Sequence, residues 1–352
     1  MQVDGRAADR FDAVRDAFAQ VLAEQAGTGA AVAAWWDGAW VVDLWGGWAD
    51  AAATRPWRAD SLVQPYSVSK PFAAICALVL ADRGQLELDV PVQRWWPRFT
   101  ARATLRQLLS HQAGVVALDE PAPTEAFYDW DRLCGLLAAQ EPAWEPGTAH
   151  GESALFYGHL IGEVVRRADG RGPGRFLREE VAGPLGLDFF FGLTAAEQAR
   201  AADLTGVAEY FSEQRTAGMP PLYRRATANP PGAWDPAVVN GSAWRAAEVP
   251  AVNGHGTARG AAGLYAALLR EATTAQCAGV DAVFGEHSAW GLGFAVDDDG
   301  CGMGGSGGSY AGASTTAGYA FAFVTGTMGS HDRGTAVENA FRECLGMPPL
   351  DE

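Results

Sequence analysis

The sequence predicts a mixed α/β (α+β) fold, in which an antiparallel sheet is flanked by helices and a mainly helical domain is inserted into the chain. Three observations support this prediction. Two apolar runs near the N-terminus have the pattern of a hairpin, helical patterns dominate from residue 72 to about residue 204, and strand patterns return from residue 290. Strands at both ends of a chain, with helices between them, imply one sheet whose halves come from the two termini.

The N-terminal segment is predicted to form a helix followed by a hairpin. Apolar residues from Phe11 to Leu22 recur at helical spacing among charged and polar residues, which is the pattern of an amphipathic helix. Residues 30–36 and 39–44 are apolar runs separated by Asp37-Gly38, and Asp-Gly suits the two-residue turn between antiparallel strands. The sheet is therefore expected to begin here.

The second half of the chain is predicted to return to the sheet after a long irregular segment. Residues 205–252 are rich in proline and weakly periodic, and because this is too long for an ordinary connection we expect a lid or pocket wall. A helix over 261–271, strands over 290–296 and 319–325, and an amphipathic helix over 333–345 should follow.

These patterns predict two domains. Residues 1–66 and 245–352 would form a discontinuous sheet domain. Residues 67–244 would form the mainly helical domain, with the lid-like segment 205–252.

The composition is that of a globular protein, and it limits the choice of partners. The chain has 352 residues, of which 48% are hydrophobic and 19% charged, and a formal net charge of -16. Such a surface would repel nucleic acid and anionic membranes. No apolar window reaches the roughly 18 residues of a membrane span, and the charged N-terminus has no signal-peptide core. We expect a cytoplasmic protein with a small-molecule substrate.

The cysteines and histidines predict neither a metal site nor disulfides. Five widely spaced cysteines without a Cys-x-x-Cys pair indicate no disulfide framework and no zinc knuckle. His150 and Glu152 have the His-x-Glu spacing of zinc deaminases but lack the Pro-Cys-x-x-Cys partner. His111, at the end of a predicted helix, is interpreted as a cap of helix carbonyls. We expect no cofactor.

The most informative stretch is Ser67-Val68-Ser69-Lys70, at the start of a long apolar helix. Residues three apart on a helix lie on one face, so the Ser67 hydroxyl and the Lys70 amine should be neighbours. A serine becomes a nucleophile when a base takes its proton, and a lysine can be that base if burial or a second cation lowers its pKa. The pair predicts an activated serine, although Ser-x-x-Lys also occurs by chance on solvated helices.

A glycine-rich stretch at 302–307 satisfies the Gly-x-Gly-x-x-Gly pattern of dinucleotide folds. That fingerprint has to follow a strand and open a helix, whereas this stretch leads into another strand pattern at Ser309. We interpret the glycines as positions where a strand edge approaches a ligand closely and directs amide N–H groups towards it.

Five motifs together resemble one enzyme family. They are residues 67–70, 108–114, 144–148, 184–188 and 253–259, in the family's order and over nearly the full length. The chain resembles the class C β-lactamase-like serine hydrolases of the penicillin-binding-protein fold, and within them the carboxylesterase branch called family VIII esterases. The resemblance implies a sheet flanked by helices, a helical domain, and a site between them.

The resemblance also implies roles for single residues. In the family the serine forms an acyl-enzyme, the lysine helps to deprotonate it, and two backbone amides hold the oxyanion. These roles fall on Ser67, on Lys70, and on the N–H groups of Ser67 and Ser306. Residues of the third motif and two aromatic residues are expected to bind substrate: Met303, Gly304, Gly305, Tyr128 and Trp234.

Glu152 is a departure from the family pattern, which usually has a proton-relaying tyrosine at this position. A carboxyl group with a reference pKa of about 4.3 would be ionised beside Lys70 and would hold the lysine protonated. Glu152 would then act as the base for Ser67, or ordinary hydrolysis would be crippled. If the alignment is shifted, Glu152 is a solvated carboxylate, and Tyr157 or Tyr128 takes the place of the tyrosine.

Met303 is a second departure, because the family usually has lysine, histidine or tryptophan there. It removes a donor for a substrate carboxylate, so we expect poor turnover of β-lactam antibiotics. The leading expectation is a serine acyl-transfer enzyme of esterase or amidase type, acting on a small neutral ester or amide. Three alternatives stay open: a transacylase or cyclase of secondary metabolism, a binding protein on an inactivated scaffold, and non-acyl acid–base chemistry by Glu152.

Overall fold

The computed structural model describes residues 2–25, 27–212, 216–267 and 273–350. Its strands are β1 Val3–Ala7, β2 Ala30–Trp36, β3 Ala39–Gly46, β4 Phe189–Phe190, β5 His255–Gly256, β6 Cys277–Val280, β7 His287–Trp290, β8 Ala295–Val296, β9 Gly300–Gly305, β10 Ser309–Ser314 and β11 Tyr319–Thr325. Within the described residues, nine of them form one sheet in the order β1-β3-β2-β11-β10-β9-β8-β7-β6, and β4 pairs with β5. Every pairing is antiparallel, as predicted.

The helices lie mainly between β3 and β6. The longer ones are Asp12–Glu24, Lys70–Asp82, Trp130–Ala139, Tyr157–Asp169, Ala258–Ala266 and Asp332–Cys344. The shorter ones are Leu105–Leu109, Pro173–Phe176, Gly183–Leu185, Ala195–Gln198, Val207–Tyr210, Pro221–Ala228, Pro236–Val239 and Ser242–Ala246, with 3-10 turns at Asp9–Phe11, Tyr66–Ser69, Val92–Arg94 and Thr124–Tyr128 and a π turn at Leu177–Ala182. Among the helices described, none has the length and apolar character needed to cross a membrane.

The predicted N-terminal hairpin is confirmed. Strands β2 and β3 pair with Trp36 opposite Ala39, and the turn between them has φ of 48° at Asp37 and 80° at Gly38. Positive φ at both central residues is what a type I′ turn requires, and its twist matches that of the flanking strands.

The two faces of the sheet explain the alternation along β11. Phe321 and Phe323 pack with the two terminal helices, whereas Ala320 and Ala322 belong to the cluster that includes helix Ala258–Ala266. The small alanine side chains let that helix lie close to the sheet. Aromatic residues therefore fill one layer, and alanines allow close approach in the other.

Helix Lys70–Asp82 lies at the centre of the helical part of the chain. Its apolar side chains are buried on nearly every side, as expected of a helix that is hydrophobic all round. It packs against helix Tyr157–Asp169, while the turn before it contacts β9 and β10 of the sheet. The start of this helix is therefore held between the helices and the sheet.

Two predicted elements differ from the structure, and one strand was missed. Strand β1 was not predicted, because it is an exposed edge strand and lacks an apolar pattern. The strand predicted over 290–296 is two short strands, β7 and β8, separated by a tight turn with Gly293 at a φ of 96°. The helix predicted over 261–271 begins at Ala258, where Thr257 caps it by accepting the Gly260 N–H, and residues 268–271 lie outside the described residues.

The sheet is built from both ends of the chain, with strands at 3–46 and at 277–325. This agrees with the expected inserted arrangement. The domain boundaries at residues 66 and 245 stay predictions.

Candidate active site

Ser67 and Lys70 are neighbours, as their spacing predicts. The Lys70 Nζ donates a hydrogen bond of 2.7 Å to the Ser67 Oγ. Ser67 lies in the 3-10 turn that leads into the helix, and Tyr66 before it has a φ of 44°. A bulky residue at positive φ is a backbone outlier, and such conformations occur often at active sites. The turn therefore presents Ser67 at the mouth of the helix.

The Lys70 side chain is fully enclosed, with 0% of it exposed, and it lies 2.9 Å from a Glu152 carboxylate oxygen. Its Nζ also donates to the Ala251 carbonyl at 3.2 Å. The Asn253 side chain holds the loop that carries this carbonyl, because it accepts from the Val249 N–H and donates to the carbonyls of Trp244 and Ala247. Three acceptors thus surround the amine.

Two effects act on the pKa of Lys70. Burial lowers it, because charge is disfavoured away from water, and the Glu152 carboxylate acts in the opposite direction. The burial effect is the larger one, so the pKa lies below its ordinary value. Glu152 does favour the protonated lysine, as expected, but the site as a whole makes deprotonation of the amine less costly than it is in water.

Glu152 belongs to the site, which argues against a shifted alignment. The Ser67 hydroxyl donates a long hydrogen bond of 3.4 Å to Glu152 Oε1, the same oxygen that pairs with Lys70. Only 14% of the Glu152 side chain is exposed, so it is not a solvated surface carboxylate. Ser67, Lys70 and Glu152 form one connected group.

Asp281 anchors the backbone of Glu152. Its Oδ2 accepts the Glu152 N–H at 2.9 Å, and its Oδ1 accepts the N–H groups of Val283 and Phe284 at 2.8 and 2.9 Å. The residue is 2% exposed, and burial raises the pKa of its carboxyl, with the Glu152 charge acting in the same direction. These three hydrogen bonds hold the turn after β6 against the segment that carries Glu152.

His111 supports the same segment rather than capping a helix. Its Nδ1 accepts the Ser153 N–H at 3.3 Å, and its carbonyl accepts the Gly151 N–H at 3.0 Å. Burial lowers the pKa of His111 well below its usual value, and the Lys70 charge acts in the same direction. A neutral ring can accept a hydrogen bond at Nδ1, so the interpretation as a helix cap is corrected.

The two tyrosines proposed as substitutes lie elsewhere. The Tyr157 hydroxyl donates to the Leu109 carbonyl at 3.0 Å, in a buried position. Tyr128 is 39% exposed and lines a cavity of about 350 Å³ that Ser67, Lys70 and Glu152 do not line. The expected position of Tyr128 beside the serine is therefore corrected, because the 3-10 turn it ends leads towards helix Trp130–Ala139 instead.

The glycine-rich stretch forms β9 and the turn after it. A Cβ added at Gly305 would overlap the Pro65 carbonyl oxygen, so only glycine allows the strand to lie this close to the turn that carries Ser67. Ser306 follows in the turn, which the Gly308 N–H closes by donating to the Gly305 carbonyl at 3.2 Å. The close approach predicted for these glycines is thus made to backbone two residues before Ser67.

Arg333 braces this turn from behind. Its Nη2 donates to the Gly307 and Thr327 carbonyls, both at 2.9 Å, and its Nη1 donates to Gln25 Oε1 at 2.9 Å. The Gly329 N–H also donates to the Gly307 carbonyl, at 3.0 Å. The turn that carries Ser306 is therefore tied to the chain after β11.

Met303 and Trp234 flank the site in different ways. Met303 is 3% exposed and lies on the same face of β9 as Gly305, because side chains alternate along a strand. Gly304, between them, is exposed and lies beside the His331 ring. Trp234 stacks on Tyr66, with 5.6 Å between ring centroids. Trp234 is thus adjacent to the residue before Ser67.

A family model described as Beta-lactamase matches residues 14–342. The chain belongs to the β-lactamase family. This confirms the resemblance to the class C β-lactamase-like serine hydrolases.

Three proteins that are similar to this chain cover between 76% and 98% of it. Esterase/beta-lactamase LipL of Mycobacterium tuberculosis (strain ATCC 25618 / H37Rv) is 35% identical over 285 residues, which are 76% of this chain and 64% of LipL. The crystal structure of a family VIII carboxylesterase is 35% identical with a TM-score of 0.85, covering 98% of this chain and 100% of that one. A penicillin-binding protein homolog from Caulobacter crescentus is 32% identical with a TM-score of 0.84, covering 98% and 100%. The chain spans less than two thirds of LipL.

Sequence reasoning missed several residues that shape this β-lactamase-family site. Asp281 and Arg333 act through hydrogen bonds to partners that are distant in sequence, and no local pattern marks such a residue. The Ala251 carbonyl is a backbone group with no sequence signal. Asn253, the first residue of the 253–259 motif, was the one detectable clue, since a buried amide side chain at a loop usually satisfies backbone groups.

Proposed function

We propose that this chain is a serine acyl-transfer enzyme of esterase or amidase type, which acts on a small neutral ester or amide through an acyl-enzyme on Ser67. The observation that supports the proposal most is the 2.7 Å hydrogen bond between Lys70 Nζ and Ser67 Oγ, made by a lysine that is fully buried. A buried amine beside a serine is the arrangement that activates the hydroxyl.

In the proposed acylation, Lys70 and Glu152 act as one base. The Lys70 ammonium passes a proton to Glu152 over 2.9 Å, and the neutral amine then takes the Ser67 proton as the oxygen attacks the carbonyl carbon. The C–O bond to Ser67 forms, and the carbonyl oxygen becomes an oxyanion. The proton returns to the leaving alcohol or amine when its bond to carbon breaks.

The oxyanion is proposed to lie between the N–H groups of Ser67 and Ser306. Amide donors fixed in advance stabilise developing charge because they need no reorganisation in the transition state. Gly305 brings the turn close to the Ser67 segment, and Arg333 holds it from the other side. Water then attacks the acyl-enzyme, activated by the same base, and releases Ser67.

Transfer to an organic alcohol or amine is a second candidate, as in a transacylase or cyclase. It is favoured by the half-buried rings of Phe211 and Trp234 beside Tyr66, which offer apolar surface to an acceptor other than water. A cytoplasmic location and a role in secondary metabolism stay predictions.

The experiment is intact-mass analysis after treatment with a fluorophosphonate and with p-nitrophenyl acetate. We expect one adduct on Ser67 and turnover of the ester, both lost in Ser67→Ala and in Lys70→Met. The exposed Ser242→Ala is the control and should react like the wild type. An acyl adduct that persists until an amine is added would favour transfer. Equal labelling of Ser67→Ala and wild type would overturn the proposal.

A further inference from the structure

Aromatic side chains form an arc that begins beside Ser67. The Tyr66 ring stacks on Trp234, with centroids 5.6 Å apart, and Phe211 lies 4.2 Å from Trp234 and 5.8 Å from Tyr66. The Tyr210 ring continues the arc, 5.0 Å from Phe211.

The other end of the arc lies beside Glu152. Tyr223 and Phe284 make an edge-to-face pair at 5.3 Å, and the Phe284 N–H donates to the Asp281 carboxylate that holds Glu152. Burial raises the pKa of Tyr223, with smaller effects in the same direction from Tyr210 and Glu152. Helix Pro221–Ala228 joins this end to the first part of the arc, because it carries Tyr223 and its Thr227 carbonyl accepts Trp234 Nε1 at 2.7 Å.

The arc is rigid but not fully covered. The Tyr66 hydroxyl donates to the Ala233 carbonyl at 3.3 Å, and Trp234 Nε1 donates to the Thr227 carbonyl at 2.7 Å. Trp234, like the other rings of the arc beyond Tyr66, is only half-buried. Fixed aromatic rings with uncovered surface next to a nucleophile offer an apolar, flat binding surface at little entropic cost.

The two cations beside Glu152 and the Ser306 turn, Lys70 and Arg333, are already engaged. Lys70 pairs with Glu152, the Arg333 guanidinium donates to backbone carbonyls and to Gln25, and Met303 offers no donor. An anionic substrate group would find no uncommitted partner in these residues. The surface instead suits an uncharged aromatic ring, which can stack or pack edge to face at the spacings seen within the arc.

We propose that the arc, defined as Tyr66, Trp234, Phe211, Tyr210, Tyr223 and Phe284, binds an aromatic ring of the substrate. The substrate class is then an uncharged ester or amide that carries an aryl group on its acyl side or on its leaving-group side. This inference rests on the proposed function for the reaction at Ser67, but ring binding itself needs no chemistry.

The test is binding to Ser67→Ala protein, which separates the arc from catalysis. Methyl 3-phenylpropanoate is compared by calorimetry with methyl 3-cyclohexylpropanoate, a ligand of similar size without a π face. Benzyl acetate and cyclohexylmethyl acetate repeat the comparison on the alcohol side. We expect the phenyl member of one pair to bind about tenfold more tightly, from two favourable ring contacts.

The ratio of the affinities for the phenyl and the cyclohexyl ligand should fall towards one when Trp234→Leu or Phe211→Leu is added. The ratio should persist with the exposed Trp48→Leu, which is the matched control. Thermal unfolding confirms that each variant is folded. Equal affinity for phenyl and cyclohexyl ligands in both pairs would overturn the inference, as would a preference that both arc variants retain. Because Ser67 is absent throughout, these outcomes are independent of whether the wild type hydrolyses esters.

Discussion

The Asp281 carboxylate accepts the backbone N–H of Glu152 at 2.9 Å, across 129 residues of sequence. The remaining oxygen of Asp281 holds two further N–H groups in its own turn. The acid that faces Ser67 is therefore positioned by a second acid, which lies behind its backbone and takes no part in the chemistry itself.

Asp281→Asn should lower kcat roughly 10- to 100-fold, because small displacements of a catalytic group are costly. A carboxamide has one acceptor oxygen, so it cannot accept both from the Glu152 N–H and from the two N–H groups of the turn. KM should change little, since Asp281 does not touch substrate. The measurement is steady-state ester hydrolysis, with the exposed Glu286→Gln in the same turn as control. An unchanged kcat in Asp281→Asn would contradict the positioning role.

Glu152→Gln should slow labelling of Ser67 by about 100-fold or more, because the pair loses its proton acceptor. Glu152→Tyr, which restores the residue usual in the family, should recover part of the rate. Both are measured as second-order rates of fluorophosphonate labelling between pH 6 and pH 10. Undiminished labelling of Glu152→Gln would refute a role for this carboxylate.

Lys70 is the only lysine in the chain, so its titration can be followed directly. Protein made with ¹³C-labelled lysine gives one side-chain signal, whose midpoint should lie below the ordinary value of about 10.4. Since Glu152 raises the pKa of Lys70 and burial lowers it, Glu152→Gln should move the midpoint lower still. Labelling of Ser67 should rise with pH through the same midpoint. A midpoint at or above the ordinary value would contradict the lowered pKa of Lys70.

Glu338 should make the fold less stable as the pH rises. It is buried, accepts the Tyr319 hydroxyl at 2.7 Å, and burial raises its pKa to about 7 from 4.5. Between these values the unfolded chain loses a proton that the folded chain keeps, so stability is full below pH 4.5 and declines as the pH rises through 7. The loss is of order 3 kcal/mol.

Urea unfolding at pH 5 and pH 8 measures this decline. Glu338→Gln should remove most of it, whereas Glu343→Gln, exposed on the same helix, should leave it in place. A wild-type stability that is equal at both pH values would disprove the linkage.

Met303→His should improve the acylation of Ser67 by β-lactams relative to neutral esters. The imidazole supplies a donor for the substrate carboxylate where methionine has none, and a hydrogen bond to a charged group is worth about 1.5 to 3 kcal/mol. The measurement is the ratio of the hydrolysis rates of a chromogenic cephalosporin and of methyl butyrate. Efficient cephalosporin turnover by the wild type would contradict the expectation that Met303 makes β-lactams poor substrates.

Local patterns predicted the parts of the site that local geometry determines. Ser67 and Lys70 meet because they are three residues apart at a helix start, and Glu152 was reached through its spacing from a motif. Asp281 and Arg333 could not be found in this way, since each acts on a partner brought near only by the complete fold. Tyr128 was misplaced for the same reason, because aromatic character alone does not say which cavity a side chain lines.

The strand predictions follow the same division. Strand β11 alternates aromatic residues with alanine because both its faces are covered, so its bounds at Tyr319 and Thr325 agree with the structure. Strand β1 is an exposed edge strand, so its side chains have no apolar pattern that would predict its pairing with β3.

Arg333 lies near the end of the chain, yet it secures the turn opposite Ser67. During synthesis on the ribosome the nucleophile leaves the exit tunnel long before the groups that complete its surroundings. The serine would thus be unreactive until the strands around Ser306 and the helix that carries Arg333 have docked. Reactivity towards an acylating probe would then report the docking of these elements during synthesis.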